Sequence, residues 1–331
     1  MITTLLLVLS ISLGLVASVA AEDAEHNYVV FQDDFEDGEA EDWTIDIADE
    51  APLGSSCTVQ LDDSNYVLSS REQTWAEAGD LEWTNYTYEV KVKFMNQEGG
   101  AHISFRMGIP APRYFFGLSL WDLWLNKEYQ ETFSEIEHAK VYLKMNTWCT
   151  LKIVCVGNRI QLYIDEELKL QYVDEEDPIL TGKIGLEGWP GSRILFDDVK
   201  VSTTHRLYVA HLIKEAQDEI DEAWMVDADT GEAEQRLAEA QAAFGEGDLS
   251  SAESLAKEAM NLAKHAPVGP VSVNELLKYS AEYDQRTVEV SGTIRDIRYE
   301  EGIYRFGVDD GTGVISATFD GTLGEIKAED K

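Results

Sequence analysis

Two runs of alternating residues near the middle of the chain constrain its fold most strongly. From Leu151 to Cys155, and again from Ile160 to Ile164, every second residue is aliphatic or a cysteine. Side chains of a β-strand point to opposite faces in turn, so this period of two predicts two strands that are each buried on one face. Gly157 and Asn158 stand between the runs and supply the positive φ angles of a tight turn. The segment therefore predicts an antiparallel hairpin.

Two more strands are predicted downstream of this hairpin. They cover Lys183–Glu187 and Arg193–Ser202, and the turn-forming segment Trp189–Ser192 separates them. Short antiparallel strands at this spacing are typical of a β-sandwich, in which two sheets pack face to face. We therefore expect an all-β sandwich in this part of the chain.

The same region carries a motif pattern that goes beyond alternation. A tryptophan, a glycine turn and a strand ending in Tyr-Ile-Asp are followed by Thr-Gly-Lys-Ile-Gly-Leu and then by Phe-Asp-Asp-Val. The residues concerned are Trp148, Leu151, Ile153, Gly157, Ile160, Leu162, Tyr163, Asp165, Thr181–Leu186 and Phe196–Val199. Together with an opening formed by Phe31–Phe35 and Trp43, they resemble the concanavalin A-like lectin/glucanase superfamily, near its laminin G-like and 3-keto-disaccharide hydrolase-like branches.

This resemblance implies a jelly-roll sandwich over residues 22–204, and the likeness itself extends from Tyr28 to Thr203. Tyr88–Phe94 and Gly100–Arg106 resemble the central strands of the superfamily. Lectins, glycosidases and adhesion modules all use this sandwich, so the resemblance is specific for fold rather than for function.

Length and charge limit the number of domains and the kinds of partner. The chain has 331 residues, which predicts two or three domains. Its 63 acidic residues outnumber its 26 basic residues and give a formal net charge of −37. Nucleic-acid binding needs Lys and Arg to displace counterions, and anionic membranes also attract basic segments. Nucleic acid is therefore not an expected partner, and neither is an anionic membrane surface.

The first 21 residues predict export. They contain no charged side chain, and Leu5–Val16 is rich in Leu, Ile and Val before the small residues Ser18–Ala20. This is the pattern of a secretory signal peptide, although no Lys or Arg precedes it. An N-terminal anchor is the alternative, since about 20 apolar residues can span a bilayer. We expect a secreted or cell-surface protein without a membrane segment, unless this one stays uncleaved.

After Thr204 the residue pattern changes from period two to helical spacing. Residues 205–265 predict a three-helix spacer that resembles half of a tetratricopeptide-type array. Residues 266–331 begin with a linker and continue with strands that resemble the first three of an OB-fold. An OB-fold barrel needs five strands, so we expect an incomplete OB-like segment. The helical or the OB-like segment could recruit a protein partner.

Three cysteines, Cys57, Cys149 and Cys155, show no metal-ligand spacing. Cys149 and Cys155 are six residues apart on one predicted strand, which is about 20 Å at the usual rise and too far for a disulfide. A disulfide bond between Cys57 and either Cys149 or Cys155 stays an alternative. We expect all three to be small buried hydrophobic side chains.

Aromatic residues point to a sugar-binding surface on the sandwich. Proteins hold sugars between aromatic faces and a few hydrogen-bonding groups. By alternation, Tyr114 and Phe116 share one strand face, while Phe115 and Trp121 share the other. One of these faces has to be core, and the other could line a site. The candidate ligand-binding residues are Arg106, Tyr114, Trp121, Trp124, Glu187 and Trp189.

Two expectations come from the resemblance. Arg106 matches an arginine of the superfamily's central strand that often lies on the concave face of the sandwich, where a charged residue requires a partner or a ligand. Sandwiches of this type often bind a structural calcium ion between the N-terminal edge and the last strand, through oxygen ligands. The matching residues are Asp33, Asp34, Glu36 and Asp197, with unbound surface acids as the alternative.

The absence of a known catalytic motif disfavours catalysis. Family-16 glucanases on this sandwich carry Glu-x-Asp-x-x-Glu along one strand, and no such pattern stands on a predicted strand here. Glu135–Glu137 is predicted to be a loop and Asp165–Glu167 the tip of a hairpin. His102 and His138 are isolated and expected to be structural. A catalytic site formed by carboxylates that folding brings together from separate segments stays an open alternative.

The sequence thus predicts an exported, lectin-like protein that binds a glycan or another surface ligand through its sandwich, without catalysis. One alternative is a glycoside-cleaving enzyme of the 3-keto-disaccharide hydrolase-like type. Another is a structural cell-surface module that recruits a protein partner.

Overall fold

The computed structural model describes residues 27–47, 50–108, 112–129, 132–279, 283, 288, 290–300 and 303–319. Within them the chain forms two compact units, the first ending at Tyr208 and the second beginning at Val209. The predicted signal peptide, residues 1–21, lies outside the described residues. The predicted domain boundaries at residues 204 and 265 stay predictions.

The first unit is a β-sandwich, as predicted. In chain order its described strands are β1 (Tyr28–Asp33), β2 (Thr44–Asp46), β3 (Ser56–Asp62), β4 (Asn65–Arg71), β5 (Thr74–Ala78), β6 (Tyr86–Phe94), β7 (Ala101–Met107), β8 (Arg113–Leu118), β9 (Asp122–Tyr129), β10 (Thr132–Lys140), β11 (Cys149–Val156), β12 (Arg159–Ile164), β13 (Glu167–Val173), β14 (Lys183–Gly188) and β15 (Arg193–Thr203). They form two antiparallel sheets. The larger has eight strands in the order β13-β12-β11-β6-β15-β4-β3, with β1 also paired to β15. The smaller has seven, in the order β10-β9-β8-β7-β14-β5-β2.

The hairpin of β11 and β12 follows the alternation that predicted it. Leu151, Ile153 and Cys155 are buried, and Leu151 pairs with Ile164 across the hairpin. Gly157 has a φ of 53° in the turn, which a residue without a Cβ atom adopts readily. All three cysteines of the chain are buried and free, as expected for small hydrophobic side chains.

Aromatic side chains fill the space between the two sheets. Phe35, Tyr88, Phe105, Phe116 and Phe196 are completely buried there. Phe105 and Phe116 lie on neighbouring strands, and their rings stack with centres 5.3 Å apart. Burial of so much apolar surface is the dominant favourable term in folding such a sandwich.

The acidic segment Glu135–Glu137 belongs to a strand, and the prediction of a loop was wrong. It lies in β10 and contains a register shift opposite β9. β10 is the edge strand of the smaller sheet, and most of its side chains are exposed. An exposed edge strand lacks the alternation of apolar residues on which the prediction depended.

After the sandwich the chain is helical and then returns to β structure, in the predicted order. The described elements are α1 (His205–Met225), α2 (Gly231–Glu246), α3 (Leu249–Lys264), α4 (Val273–Lys278), β16 (Thr293–Glu300), β17 (Ile303–Asp309) and β18 (Val314–Phe319). α2 and α3 pack through small buried residues such as Ala240 and Ala256. The last three strands form one sheet in the order β16-β17-β18, and its likeness to an OB-fold stays a prediction. None of the described helices is long and apolar enough to cross a membrane.

Candidate functional site

A cluster of side chains lies on the outer face of the seven-stranded sheet, which is the face turned away from the sandwich core. Trp75, Glu187 and His102 stand directly opposite one another on β5, β14 and β7. Their strand neighbours Ala76, Leu186 and Ile103 are buried in the core. Because successive strand side chains point to opposite faces, the pairing of these three strands brings the cluster together.

Glu187 is the centre of this cluster and is 6% exposed. Its Oε1 atom accepts hydrogen bonds from Ser104 Oγ, at 2.5 Å, and from Nη1 of Arg113. Its Oε2 atom lies 3.2 Å from Nδ1 of His102. Both oxygens of this buried carboxylate therefore have donors, as a buried charge requires.

Arg113 is held by a second carboxylate and by two aromatic rings. Its Nε atom donates to Oε2 of Glu128 at 2.5 Å, and Nη1 also lies 2.9 Å from Ser104 Oγ. The guanidinium carbon is 4.3 Å from the centre of the Trp75 ring and 4.9 Å from that of Phe115. Charge-assisted hydrogen bonds and cation–π contacts together fix this side chain in place.

These contacts determine the protonation state of Glu187. Burial raises the pKa of its carboxyl group, but the hydrogen bond from His102 and the charge of Arg113 lower it by more, so the pKa lies below the ordinary value of 4.5. Glu187 is therefore ionised at neutral pH and only accepts hydrogen bonds. The proton in its contact with His102 accordingly belongs to Nδ1, and an imidazole without a second proton carries its free electron pair on Nε2.

Two nitrogen atoms on this face have no hydrogen-bond partner among the described residues. They are Nε2 of His102 and Nδ2 of Asn126, and both are shielded from solvent. Asn126 lies on β9 opposite Phe115, two residues from Trp124 on the same strand face. A buried polar group without a partner costs about 1–3 kcal/mol, so these atoms mark places where a polar ligand group would gain hydrogen bonds.

Aromatic side chains surround the cluster and leave a cleft of about 920 Å³. The ring centre of Trp189 is 4.6 Å from that of His102 and 5.2 Å from that of Trp124. Phe133, which is 58% exposed, packs edge-on against Phe115 at 5.9 Å. Thr74, Trp75, Arg113, Glu187 and Pro190 also line this cleft.

Gly117 determines where the Trp124 indole lies. It stands directly opposite Trp124 on β8, and a Cβ atom at this position would meet the indole at 2.2 Å. Real Cβ atoms do not approach other atoms so closely, because the overlap is strongly repulsive. The glycine therefore lets the indole lie across β8, in contact with Trp189.

Three of the six predicted ligand-binding residues lie together in this site. They are Trp124, Glu187 and Trp189. Trp121 is separate from them, since it lies in the turn between β8 and β9 and is 52% exposed. The structure brings no partner aromatic to Trp121 among the ring contacts of the described residues.

Arg106 and Tyr114 lie on the inner side of the sheet, and the expectation that Arg106 occupies a concave outer face was wrong. Arg106 is completely buried, and its Nη1 atom donates to the Ile179 carbonyl at 3.0 Å. Tyr114 is also completely buried, and its hydroxyl donates to Asp174. Alternation alone would place Arg106 beside Ser104 on the outer face. Its φ of 48° and a register shift between β7 and β14 break that alternation and turn the side chain inward.

Sequence reasoning missed His102, Arg113 and Asn126. His102 was expected to be structural because no other candidate ligand or catalytic residue lies near it in the chain. Alternation along β7 assigns it to the face opposite Ile103, but only the pairing of β7 with β14 brings it to Glu187. Strand pairing between residues 85 positions apart was the missing signal.

The acidic residues predicted to bind calcium are Asp33, Asp34, Glu36 and Asp197. Asp33 and Asp34 line one pocket together with Asp198, the neighbour of Asp197 on β15. Asp33 accepts a hydrogen bond from the Trp43 indole, and Asp197 accepts one from Asn65. Within the described residues no group of three or more His, Cys, Asp and Glu side chains is arranged to hold a metal ion. The residues as placed do not fit a calcium ion, and calcium binding stays a prediction.

Solved structures with a similar fold include two proteins from Bacillus subtilis. A carbohydrate-binding module is 18% identical, with a TM-score of 0.41, and the match covers 49% of this chain and 96% of that chain. A protein of unknown function with a galectin-like fold is 13% identical, with a TM-score of 0.44, and the match covers 54% and 97%. A β-glucanase from Bacillus licheniformis is 16% identical, with a TM-score of 0.40 and coverage of 53% and 97%. No curated protein matches the chain.

A family model matches the sandwich itself. The model describes the 3-keto-α-glucoside-1,2-lyase-like domain, and it matches residues 30–202. This range begins in β1 and ends in β15, so it contains every strand that builds the outer-face cleft. Because the match covers more than half of the 331 residues, the chain belongs to the family of 3-keto-α-glucoside-1,2-lyase-like domains.

Proposed function

We propose that the outer-face cleft binds carbohydrate without cleaving it, in a protein that is exported. The observation that carries this proposal is the combination of three indoles with a buried polar cluster. Trp75, Trp124 and Trp189 lie around the Glu187 carboxylate and its partners. Sugar rings present C–H groups that pack on aromatic faces, and hydroxyl groups that need hydrogen bonds at fixed positions.

The hydrogen-bonding capacity of the cleft supports the same function. Glu187 and Arg113 satisfy each other, while His102 Nε2 and Asn126 Nδ2 have no partner among the described residues. A sugar hydroxyl both donates and accepts, so it suits an electron pair on the histidine as well as an amide N–H. Rigid aromatic and ion-paired side chains also lower the ordering cost of binding.

Export rests on the sequence of residues 1–21, which predicts a secretory signal peptide. The acidic character of the chain agrees with a soluble exported protein, because a net charge far from zero opposes self-association. A glycan outside the cell is therefore the ligand that this proposal names.

A glycan array probed with the full chain tests carbohydrate binding. We expect a confined set of bound glycans and, for the best of them, an affinity at least about tenfold lower in Trp189→Ala, because an aromatic ring that lines the cleft is removed. Trp121→Ala is the matched control, since it removes an exposed indole outside the cleft. Its affinity should equal that of the wild type.

The same array, run with calcium and with a chelator, tests the predicted calcium site. Binding lost with the chelator and restored by calcium supports the prediction, and binding that is equal in both arms contradicts it. An empty array with a folded protein contradicts carbohydrate binding. A stable complex with another protein would then favour the structural-module alternative.

A specific observation favours a second candidate function, an elimination reaction on a 3-keto-α-glucoside. Oε2 of Glu187 lies 3.2 Å from Nδ1 of His102, and Nε2 of this cleft-lining residue has no hydrogen-bond partner among the described residues. A histidine oriented by a buried carboxylate is a common general base. The family description names lyase chemistry, which requires such a base.

In this reaction Nε2 of His102 takes the proton from sugar C2, which is acidified by the neighbouring C3 carbonyl. The C–H electron pair forms a C1–C2 double bond, the C1–O bond breaks, and the departing alkoxide takes a proton from water. Release of nitrophenol from a nitrophenyl 3-keto-α-glucoside would measure the turnover. We expect it to fall about 100-fold or more in His102→Gln, with glycan affinity measured in parallel. Absence of turnover in the wild type rules out this candidate and leaves carbohydrate binding standing.

A further inference from the structure

The charges around the cleft are unevenly distributed. The cleft is lined by the carboxylates of Asp46, Glu77 and Glu187 and by the Arg113 cation. Glu128 is the ion-pair partner of Arg113, and Lys183 is that of Glu77, which makes four carboxylates and two cations in and beside the cleft. The carboxylates outnumber the cations by two when His102 is neutral and by one when it is protonated. We infer that the cleft selects uncharged or amine-bearing glycans and rejects acidic ones such as uronates and sulfated sugars. This inference rests on the proposed carbohydrate binding.

Arg113 would ordinarily be the residue to bind an acidic sugar, since guanidinium groups pair with carboxylates and sulfates. Here its Nε and Nη1 atoms are already bonded to Glu128 and Glu187, and its side chain is only 6% exposed. Trp75 and Phe115 lie 4.3 and 4.9 Å from the guanidinium carbon. Arg113 is thus neutralised, and an incoming anion would have to displace a buried carboxylate to reach it.

The second cation is paired as well. Lys183 Nζ lies 3.0 Å from Oε1 of Glu77, and the other oxygen of Glu77 accepts a hydrogen bond from Trp75 Nε1 at 3.3 Å. Both side chains of this ion pair are less than one fifth exposed. An acidic glycan would therefore meet no unpaired cation among the described residues that line the cleft.

The carboxylate of Asp46 favours glycans that carry a positive charge. It lies directly opposite Trp75 on β2, is exposed, and has no ion pair with any residue in the described ranges. An ammonium group on a sugar stacked near Trp75 would reach this carboxylate without displacing a cation. Amine-bearing glycans should therefore bind at least as tightly as their uncharged counterparts.

Coulombic repulsion gives the size of the effect. An excess of one to two negative charges about 8 Å from a bound carboxylate, with an effective dielectric constant of about 40, weakens binding about tenfold. Salt screens this repulsion, because the Debye length falls to about 3 Å at 1 M. The penalty on an acidic glycan should shrink accordingly as salt is added.

The test compares each bound glycan with its acidic and amine-bearing counterparts of the same backbone, using the full chain. We expect the acidic form to bind about tenfold more weakly than the uncharged form at low salt, with the gap closing at high salt. An acidic form that binds as tightly as its uncharged parent overturns the inference and leaves carbohydrate binding intact. An empty array overturns carbohydrate binding itself.

Two variants locate the effect within the cleft. Glu128→Gln removes one carboxylate beside Arg113, and the acidic-to-uncharged affinity ratio should rise about fivefold. Glu166→Gln removes the same charge from a side chain that is 73% exposed in the turn between β12 and β13 of the other sheet. That control should leave the ratio unchanged. Equal affinity ratios in both variants overturn the assignment of selectivity to the cleft. The salt titration of the wild type tests the charge selectivity without depending on how either variant folds.

Discussion

Replacing Glu187 with glutamine tests the buried cluster most directly. The substitution keeps the shape of the side chain and removes its charge. The carboxylate has donors in Ser104, Arg113 and His102, and glutamine offers only one acceptor oxygen to them. Its amide group would face Nδ1–H of His102, so that two donors oppose each other.

The size of the destabilisation follows from these three contacts. A hydrogen bond to a charged group contributes about 1.5–3 kcal/mol, and a neutral one about 0.5–1.5 kcal/mol. Each of the three contacts therefore weakens by about 1 kcal/mol, and the free energy of unfolding falls by about 3 kcal/mol. This lies at the lower end of the range of about 3–5 kcal/mol for breaking a buried ion pair, and Arg113 does keep Glu128 as a partner. For a sandwich of this size the expected fall in Tm is about 6–12 °C.

Urea unfolding followed by tryptophan fluorescence and circular dichroism measures this difference. Glu166→Gln is the control, and its free energy of unfolding should stay within about 0.5 kcal/mol of the wild type, because the side chain is exposed. A Glu187→Gln variant as stable as the wild type at neutral pH would refute the description of Glu187 as a buried, hydrogen-bonded carboxylate.

The difference in the free energy of unfolding between the wild type and Glu187→Gln should decrease at acidic pH. The pKa of Glu187 is lower in the folded protein than its ordinary value of 4.5. Its contribution to stability is therefore complete above pH 4.5 and is lost as the pH falls through the folded pKa. The gap between wild type and Glu187→Gln should close on acidification. A gap that widens below that pH would mean that the folded pKa is raised.

Three further predictions concern other parts of the sandwich. Arg106→Met should lower the free energy of unfolding by about 2 kcal/mol, because two backbone carbonyl groups lose their hydrogen-bond donor. Its glycan affinity should stay unchanged. A variant with normal stability and lost affinity would contradict the inward placement of Arg106. Gly117→Ala should displace the Trp124 indole and weaken glycan binding about tenfold with the fold intact, as titration and circular dichroism would measure; equal affinity would mean that this indole does not contact the ligand. Burial raises the pKa of the Cys57 thiol to about 12, so this cysteine should react with a thiol reagent only after unfolding, and rapid modification of the native protein would show that it is accessible.

Much of the sandwich could be predicted because strand alternation is a local property. The buried residues of β11 and β12 stand at every second position, and the turn between them begins at a glycine. The edge strand β10 was mistaken for a loop because most of its side chains are exposed. Where neither face of a strand is buried, the sequence has no apolar period to reveal it.

The candidate site was predictable only in part, for a related reason. Trp124, Glu187 and Trp189 were candidates by residue type, since aromatic and acidic groups suit a sugar. His102 looked isolated because the strand that carries its carboxylate partner is far away in the chain. Arg106 was misplaced because a single positive φ angle reverses the side-chain direction that alternation predicts.

The sequence by itself determined those strands whose apolar residues alternate, such as β11 and β12, and the helices that follow the sandwich. These properties depend on neighbours a few positions apart, and hydrophobic burial enforces them locally. Only the tertiary structure decided that β5, β14, β7, β8 and β9 lie side by side with Trp75, Glu187 and His102 in one row. The order and register of strands depend on pairing between distant segments, and a shift by one residue would turn every side chain of a strand to the other face. The cleft, its buried carboxylate and its charge therefore arise from strand register.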